Sequence, residues 1–226
     1  VTGAAAIPDD EFAAKLRGFG PAGIFAIVVI LAGNGLFIPL SALLVLAWVR
    51  WSHTPWREIG YVRPRSWIAT VVIGIAFGAG FKLAMKAIVM PLLGADPINQ
   101  AFRWLAGNTA ALPLVLLAVI AGAGFGEETL FRGYLFERLG KLFGSGMFAK
   151  ASIVLVTSAW FGVNHYPLQG LAGVEQATIV GLVFGTIMAV TGRIFMLMIA
   201  HAAFDVTAVA IIYWDLETTV AHLVFR

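Results

Sequence analysis

Long apolar runs separated by short polar stretches set the pattern of this chain, and they predict helices rather than strands. The runs cover residues 21–51, 67–93, 110–139, 148–165, 171–190 and 194–214. Each approaches or exceeds the ~20 residues that cross a bilayer core as a helix, so six spans are expected. The first is nearly thirty residues long and holds Asn34 and Pro39, which predicts one tilted or kinked span. Ahead of it, Asp9, Asp10, Glu11, Lys15 and Arg17 mark a short surface segment without the basic start and small-residue cleavage site of a secretory signal. Residues 52–66 form a basic loop with Arg57, Arg63 and Arg65. Residues 96–108 read as a connector with a short amphipathic helix whose apolar side is Phe102, Trp104 and Leu105. A loop around Gly144 to Gly146 ends the third span, and Glu137 with Arg138 reads as its solvated end. The expected fold is an all-α, polytopic transmembrane bundle, with 1–226 as a single integral membrane domain and no internal repeat.

Composition sharpens this picture. Hydrophobic residues make up 60% of the 226 and charged residues 12%, against roughly 45–50% and about 25% in soluble domains. No room is left for a separate soluble domain. The absence of cysteine excludes thiolate catalysis, Cys-based zinc sites and iron–sulfur clusters. A net charge of +3 on so apolar a chain reads as a topology signal and contact with the lipid bilayer, not as a nucleic-acid site. Arg50, Arg57, Arg63, Arg65, Arg138, Lys141, Lys150 and Arg193 fall on one side of a six-span arrangement, and Lys15, Arg17, Arg103 and Arg226 on the other. The first side is expected to be cytoplasmic, with both ends of the chain opposite; for a prokaryotic protein the location is the cell membrane.

Ionisable residues inside the spans cost about 2.5–3.5 kcal/mol each, so each needs a reason. They come in pairs four residues apart, which places both members on one helical face. The third span holds Glu127, Glu128 and Arg132, the fourth Phe161, Asn164 and His165, and the sixth His201 and Asp205. Glu127 and Glu128 point about 100° apart on an α-helix. Glu128 is therefore assigned to Arg132 as a local ion pair, and Glu127 is left free for chemistry. A carboxylate and two imidazoles in an intramembrane cavity suit hydrolysis by activated water. Glu127 serves as base, since burial makes a carboxylate more basic, while His201 with Asp205 or Asn164 stabilises the oxyanion and His165 positions the water or shares the base role. Glu127, His165 and His201 also match the ligand count of a catalytic zinc, and sequence leaves that alternative open. Lys82 and Lys86, on neighbouring turns of the second span, either snorkel or line a wet cavity. Phe161 is an aromatic wall beside His165, and Gly122, Gly124 and Gly126 suit close helix packing.

Glu127-Glu128 with Arg132, Phe161 with His165, and His201 with Asp205, in this order, resemble the CAAX prenyl protease type II and bacteriocin-processing (CPBP, Abi) intramembrane endopeptidases. The resemblance covers a motif-bearing core of about 110–205. It implies a membrane-embedded protease acting on a peptide or protein substrate, prenylated or otherwise membrane-anchored. Eukaryotic members remove the three terminal residues of prenylated proteins. In this family the first glutamate and first histidine, here Glu127 and His165, activate water, and the second histidine with its Asn or Asp, here His201 with Asp205, forms the oxyanion hole. A charged aspartate is a poor oxyanion donor, so Asp205 either carries a proton or orients His201. The family has also been described as metalloproteases; the metal-free glutamate mechanism is favoured here because the glutamate and histidines suffice for it. Rival readings of the same residues are a transporter or an ion or proton channel, and a non-catalytic membrane scaffold.

Overall fold

The computed structural model describes residues 10–36 and 38–225; Asp9 and Arg226, used above, lie outside the described residues. The elements are α1 (Glu11–Arg17), α2 (Pro21–Leu36), α3 (Ile38–Trp51), α4 (Trp67–Leu92), α5 (Thr109–Phe143), α6 (Met147–Val163), α7 (Tyr166–Thr191), α8 (Phe195–Tyr213) and α9 (Glu217–Ala221). Among the described residues there is no strand, and the protein is a polytopic helical bundle. Four helices, α4, α5, α7 and α8, are long and apolar enough to cross a membrane; α1 and α2, bent by 58°, make a fifth span if counted together. This is fewer than the six expected spans. At 17 residues α6 is a shorter apolar helix, as is α3.

The expected single span over 21–51 is instead two helices folded back on each other. The Trp48 indole, near the end of α3, donates to the Leu16 carbonyl at 3.1 Å, and the Arg17 guanidinium donates to the Ser52 carbonyl. The start of α2 therefore lies beside the end of α3. At ~1.5 Å per residue α2 and α3 are only about 24 and 21 Å long, shorter than the ~30 Å hydrocarbon core.

This hairpin also changes the fate of Arg138. Far from being a solvated helix end, Glu137 and Arg138 are buried. Arg138 grips Glu137 through two donors, gives a third to the Arg17 carbonyl at 2.7 Å and stacks on the Trp48 ring at 4.5 Å. α1 and the end of α3 thus cover the basic end of α5, and Lys15 and Arg17 join the face they were expected to oppose. The last helix lies at the far face, where Glu217 accepts from Lys86 at 3.0 Å and from the Asn99 amide at 2.9 Å. Residues 11 and 222 are consequently on opposite faces of the bundle, not on the same one.

Two close helix crossings position the centre. α8 packs between α4 and α5. A Cβ on Gly78 of α4 would sit 2.0 Å from the Ala200 carbonyl oxygen of α8, and one on Gly124 of α5 would sit 2.9 Å from the Ala202 Cβ and the Met198 oxygen. Only glycine permits these backbone approaches, which bring both neighbours against the turns carrying His201. Gly122, expected to pack similarly, meets nothing within 4 Å. About half of α5 is π-helical, over Ala118–Glu127 and Thr129–Leu135, a form frequent at functional sites. In the connector, Gln100–Leu105 is a 3-10 helix that buries Leu105 but leaves Trp104 exposed, so only part of its predicted apolar side is covered. Gly170, at φ 60°, breaks the first turn of α7 away from the rest, which agrees with a run beginning near 171.

Because the chain has no native cysteine, Glu11→Cys and His222→Cys can be labelled singly with a membrane-impermeant maleimide. The expected outcome is labelling from opposite sides of sealed vesicles; labelling from one side would restore the six-span topology.

Candidate active site

A cavity of about 500 Å³ runs between α4, α5, α7 and α8, and Glu127, Phe161, His165, His201 and Asp205 line it together. The size suits a small ligand or a few residues of chain. His201 is its pivot. Its Nδ1 lies 2.7 Å from Glu128 Oε1, so the ring donates to that carboxylate. Its Nε2 lies 3.7 Å from both Glu127 Oε2 and Asp205 Oδ2. That separation exceeds a direct hydrogen bond and leaves the three atoms facing a common space.

Glu128 is wholly buried, and the same Oε1 accepts from Arg132 Nη1 at 2.9 Å. The expected Glu128–Arg132 pair is therefore present, but it does not merely hold a helix end: it also holds His201. Arg132 is buried with its guanidinium 4.7 Å from the Phe161 ring centroid and 5.7 Å from that of Phe184, so the cation rests on aromatic faces. Phe161 in turn meets the His165 ring at 4.7 Å and the His201 ring at 5.9 Å, both edge-on. One turn before His165, the Phe161 carbonyl receives a hydrogen bond from His165 Nδ1 at 2.8 Å. A carbonyl only accepts, so Nδ1 carries the proton and a neutral His165 keeps its lone pair on Nε2.

Tyr61, from the loop before α4, steadies α5 from outside the cavity. Thr129 donates to the Phe125 carbonyl at 2.7 Å, so the Tyr61 hydroxyl donates to Thr129 Oγ1 at 2.8 Å. Burial pushes the Tyr61 phenol above its ordinary pKa, which keeps it a donor.

Asn164 does not join this group, a correction to its expected role beside the oxyanion. It is exposed and lines a separate cavity of about 180 Å³ with Asn34, Phe131 and Trp160. One residue from His165, it leaves the helix in a different direction. The zinc set left open by the sequence is not assembled either: among the described residues no group of three or more His, Asp or Glu side chains is arranged to hold a metal ion.

Lys82 and Lys86 line the cavity instead of snorkelling. Lys86 pairs with Glu217 at 3.0 Å and also donates to the Pro97 carbonyl. Lys82 is only 8% exposed; it donates to Gln176 Oε1 at 2.9 Å and stands 4.9 Å from the Phe204 ring centroid. Gln176 and Glu217 were not singled out from sequence. A glutamine near the start of an apolar helix and a glutamate beyond the last span carry no periodic signal of their own.

Residues 109–207, a little under half of the chain, match the family described as type II CAAX prenyl endopeptidase Rce1-like. No curated protein and no solved structure matches the chain.

Two substitutions probe this construction. Arg132→Ala leaves Glu128 buried without its cation and is expected to cost about 3 kcal/mol or more, read as a lowered Tm in detergent; an unchanged Tm would show that the pair does not support the fold. Gly78→Ala drives a methyl into the Ala200 carbonyl and is expected to lower both Tm and activity, whereas Gly122→Ala, in open space, leaves Tm within about 1 kcal/mol equivalent of wild type.

Proposed function

We propose that the protein hydrolyses a peptide bond of a membrane-associated substrate with a water activated by Glu127, and that it does so without a metal. The observation that carries this reading is the convergence of Glu127 Oε2, Asp205 Oδ2 and His201 Nε2, at 3.7 Å spacing, in a cavity they share with His165. Such spacing suits one water or one substrate oxygen between the groups.

Glu127, with its side chain 12% exposed, takes a proton from water as the oxygen attacks the carbonyl carbon. His165 presents Nε2 to the same water and aligns it. Charge then develops on the former carbonyl oxygen. With Nδ1 committed to Glu128, a proton on His201 Nε2 supplies the donor that this oxyanion needs. Asp205, 26% exposed at the side chain, either carries a proton and donates as well or orients His201. When the tetrahedral intermediate collapses, the carbon–nitrogen bond breaks and Glu127 returns its proton to the leaving amine. Water is consumed, one carboxylate and one amine are released, and the protein is restored. Phe161, Arg132 and Glu128 act as positioning residues, since they reach the reaction only through His165 and His201.

Cleavage of a quenched fluorescent peptide panel, prenylated and not, by purified protein tests this. Glu127→Gln keeps shape and removes basicity, so kcat is expected to fall by about 10²–10⁴-fold with Tm little changed. A variant that turns over near the wild-type rate refutes the base assignment. Activity is expected to survive a zinc chelator; activity lost to chelation and restored by zinc would overturn the metal-free mechanism.

A further inference from the structure

The central cavity has an open end and a closed one. Of the residues that line it, only Asp96, Gln100 and Leu168 are exposed, and all three belong to the face that carries α9. Two come from the connector before α5 and one from the first turn of α7. Phe161, Val180 and His201 line the opposite end and are buried. In helical rise His201 is nearer to the basic face, about 9 Å from the start of α8 against about 18 Å from its end. The shorter route is the blocked one. There the loop over residues 52–66 folds into the bundle: Ile59 is wholly buried, the Gly60 carbonyl accepts from the Ile194 amide at 3.0 Å, and Tyr61 reaches Thr129. Leu130, Tyr134 and Leu197, each at most 1% exposed, close the space behind it.

Charge makes these ends two different sides of a membrane. Arg50, Arg63, Arg65, Lys141, Lys150 and Arg193 sit in or beside the short loops at the closed end, where Lys141 pairs with Glu58 and Arg193 precedes the Ile194–Gly60 bond. Among the described residues outside the spans, Arg103 is their counterpart at the open end. Short loops rich in lysine and arginine stay in the cytoplasm. We infer that the cavity opens on the side away from the cytoplasm, so that its substrates are polypeptides already translocated across the membrane or anchored at its outer surface. This rests on the peptidase reading above and adds to it the side from which substrate and water arrive. An extended segment of about five or six residues spans the depth from the mouth to His201, at about 3.3–3.6 Å per residue. The rim itself is fixed: Glu217 accepts from the Asn99 amide and Lys86 donates to the Pro97 carbonyl, which ties the connector to α9 and α4.

Sealed membrane vesicles of the two orientations test this, right-side-out ones presenting the outer surface and inverted ones the cytoplasmic surface. Each receives a membrane-impermeant maleimide, or a membrane-impermeant quenched peptide with Glu127→Gln vesicles subtracting host peptidases. Because the chain has no native cysteine, Gln100→Cys at the rim is expected to label in right-side-out vesicles and Arg63→Cys in inverted ones. Cleavage is expected in right-side-out vesicles and, in inverted ones, only after detergent opens them. A bulky maleimide on Gln100→Cys is expected to remove most of that cleavage relative to the same protein unlabelled, and one on Arg63→Cys to leave it unchanged. Cleavage confined to intact inverted vesicles, or equal in the two orientations, overturns the inference while the peptidase reading stands. Block through Arg63→Cys but not through Gln100→Cys puts the entrance at the basic end and overturns it too. Labelling of Gln100→Cys from the cytoplasmic side has the same consequence. If Gln100→Cys labels from outside but no peptide is cleaved even in detergent, the sided opening holds and the peptidase reading falls.

Discussion

Glu128 is the residue on which the rest of the site depends. One oxygen of a wholly buried carboxylate receives both Arg132 and His201, from 2.9 and 2.7 Å. In an apolar bundle no water competes for these donors, so removing Glu128 or Arg132 leaves the other as a charge that nothing else can neutralise cheaply. Arg132 spreads its charge over Phe161 and Phe184, and Phe161 also braces both histidines. The orientation of His201 Nε2 towards Glu127 and Asp205 is therefore a consequence of a pairing on its other nitrogen. Chemistry at the cavity side is set by a contact that never faces the cavity.

That contact spans two helices, and helix approach decides whether it exists. Glu128 and His201 belong to α5 and α8, which meet where Gly124 admits Ala202 and the Met198 carbonyl. On the other flank Gly78 of α4 admits the Ala200 carbonyl. A side chain at either glycine would push α8 away by more than the tolerance of a hydrogen bond. The π-helical form of α5 works in the same direction: its wider turn and smaller rise change both the angle between Glu127 and Glu128 and the depth at which they sit. In the folded protein Glu127, His165 and His201 all line one cavity.

What could be read from the sequence was local. Period and hydropathy located α4, α5, α7 and α8, because a span carries its own signal, and four-residue spacing put Glu128 with Arg132 and His201 beside Asp205 on single helix faces. Contacts between distant segments were not readable in this way. Nothing around Glu137 and Arg138 announces that α1 and Trp48 will cover them, so a buried pair looked like a solvated end. Asn34 and Pro39 signalled a disturbance in the first run but not that the chain turns back there. Lys86 and Glu217 are 131 residues apart, and only the fold makes them partners. Asn164 failed for a simpler reason: it adjoins His165 in sequence, and adjacent helical residues do not share a face.

The charges around the cavity carry a last constraint. Among the buried and half-buried groups, Glu127, Glu128, Asp205 and Glu217 are acids and Lys82, Lys86 and Arg132 are bases, while Asp96, which also lines the cavity, is exposed. In a low-dielectric bundle such a set is most stable near electrical balance. Glu128 and Glu217 are committed to cations, which leaves Glu127, His201 and Asp205 as the three groups whose polar atoms converge. On the proposed mechanism this is also the location at which hydrolysis takes a proton from water and later gives it to an amine. The electrostatic balance of the buried set and the acid–base requirement of the reaction thus fall on the same three side chains.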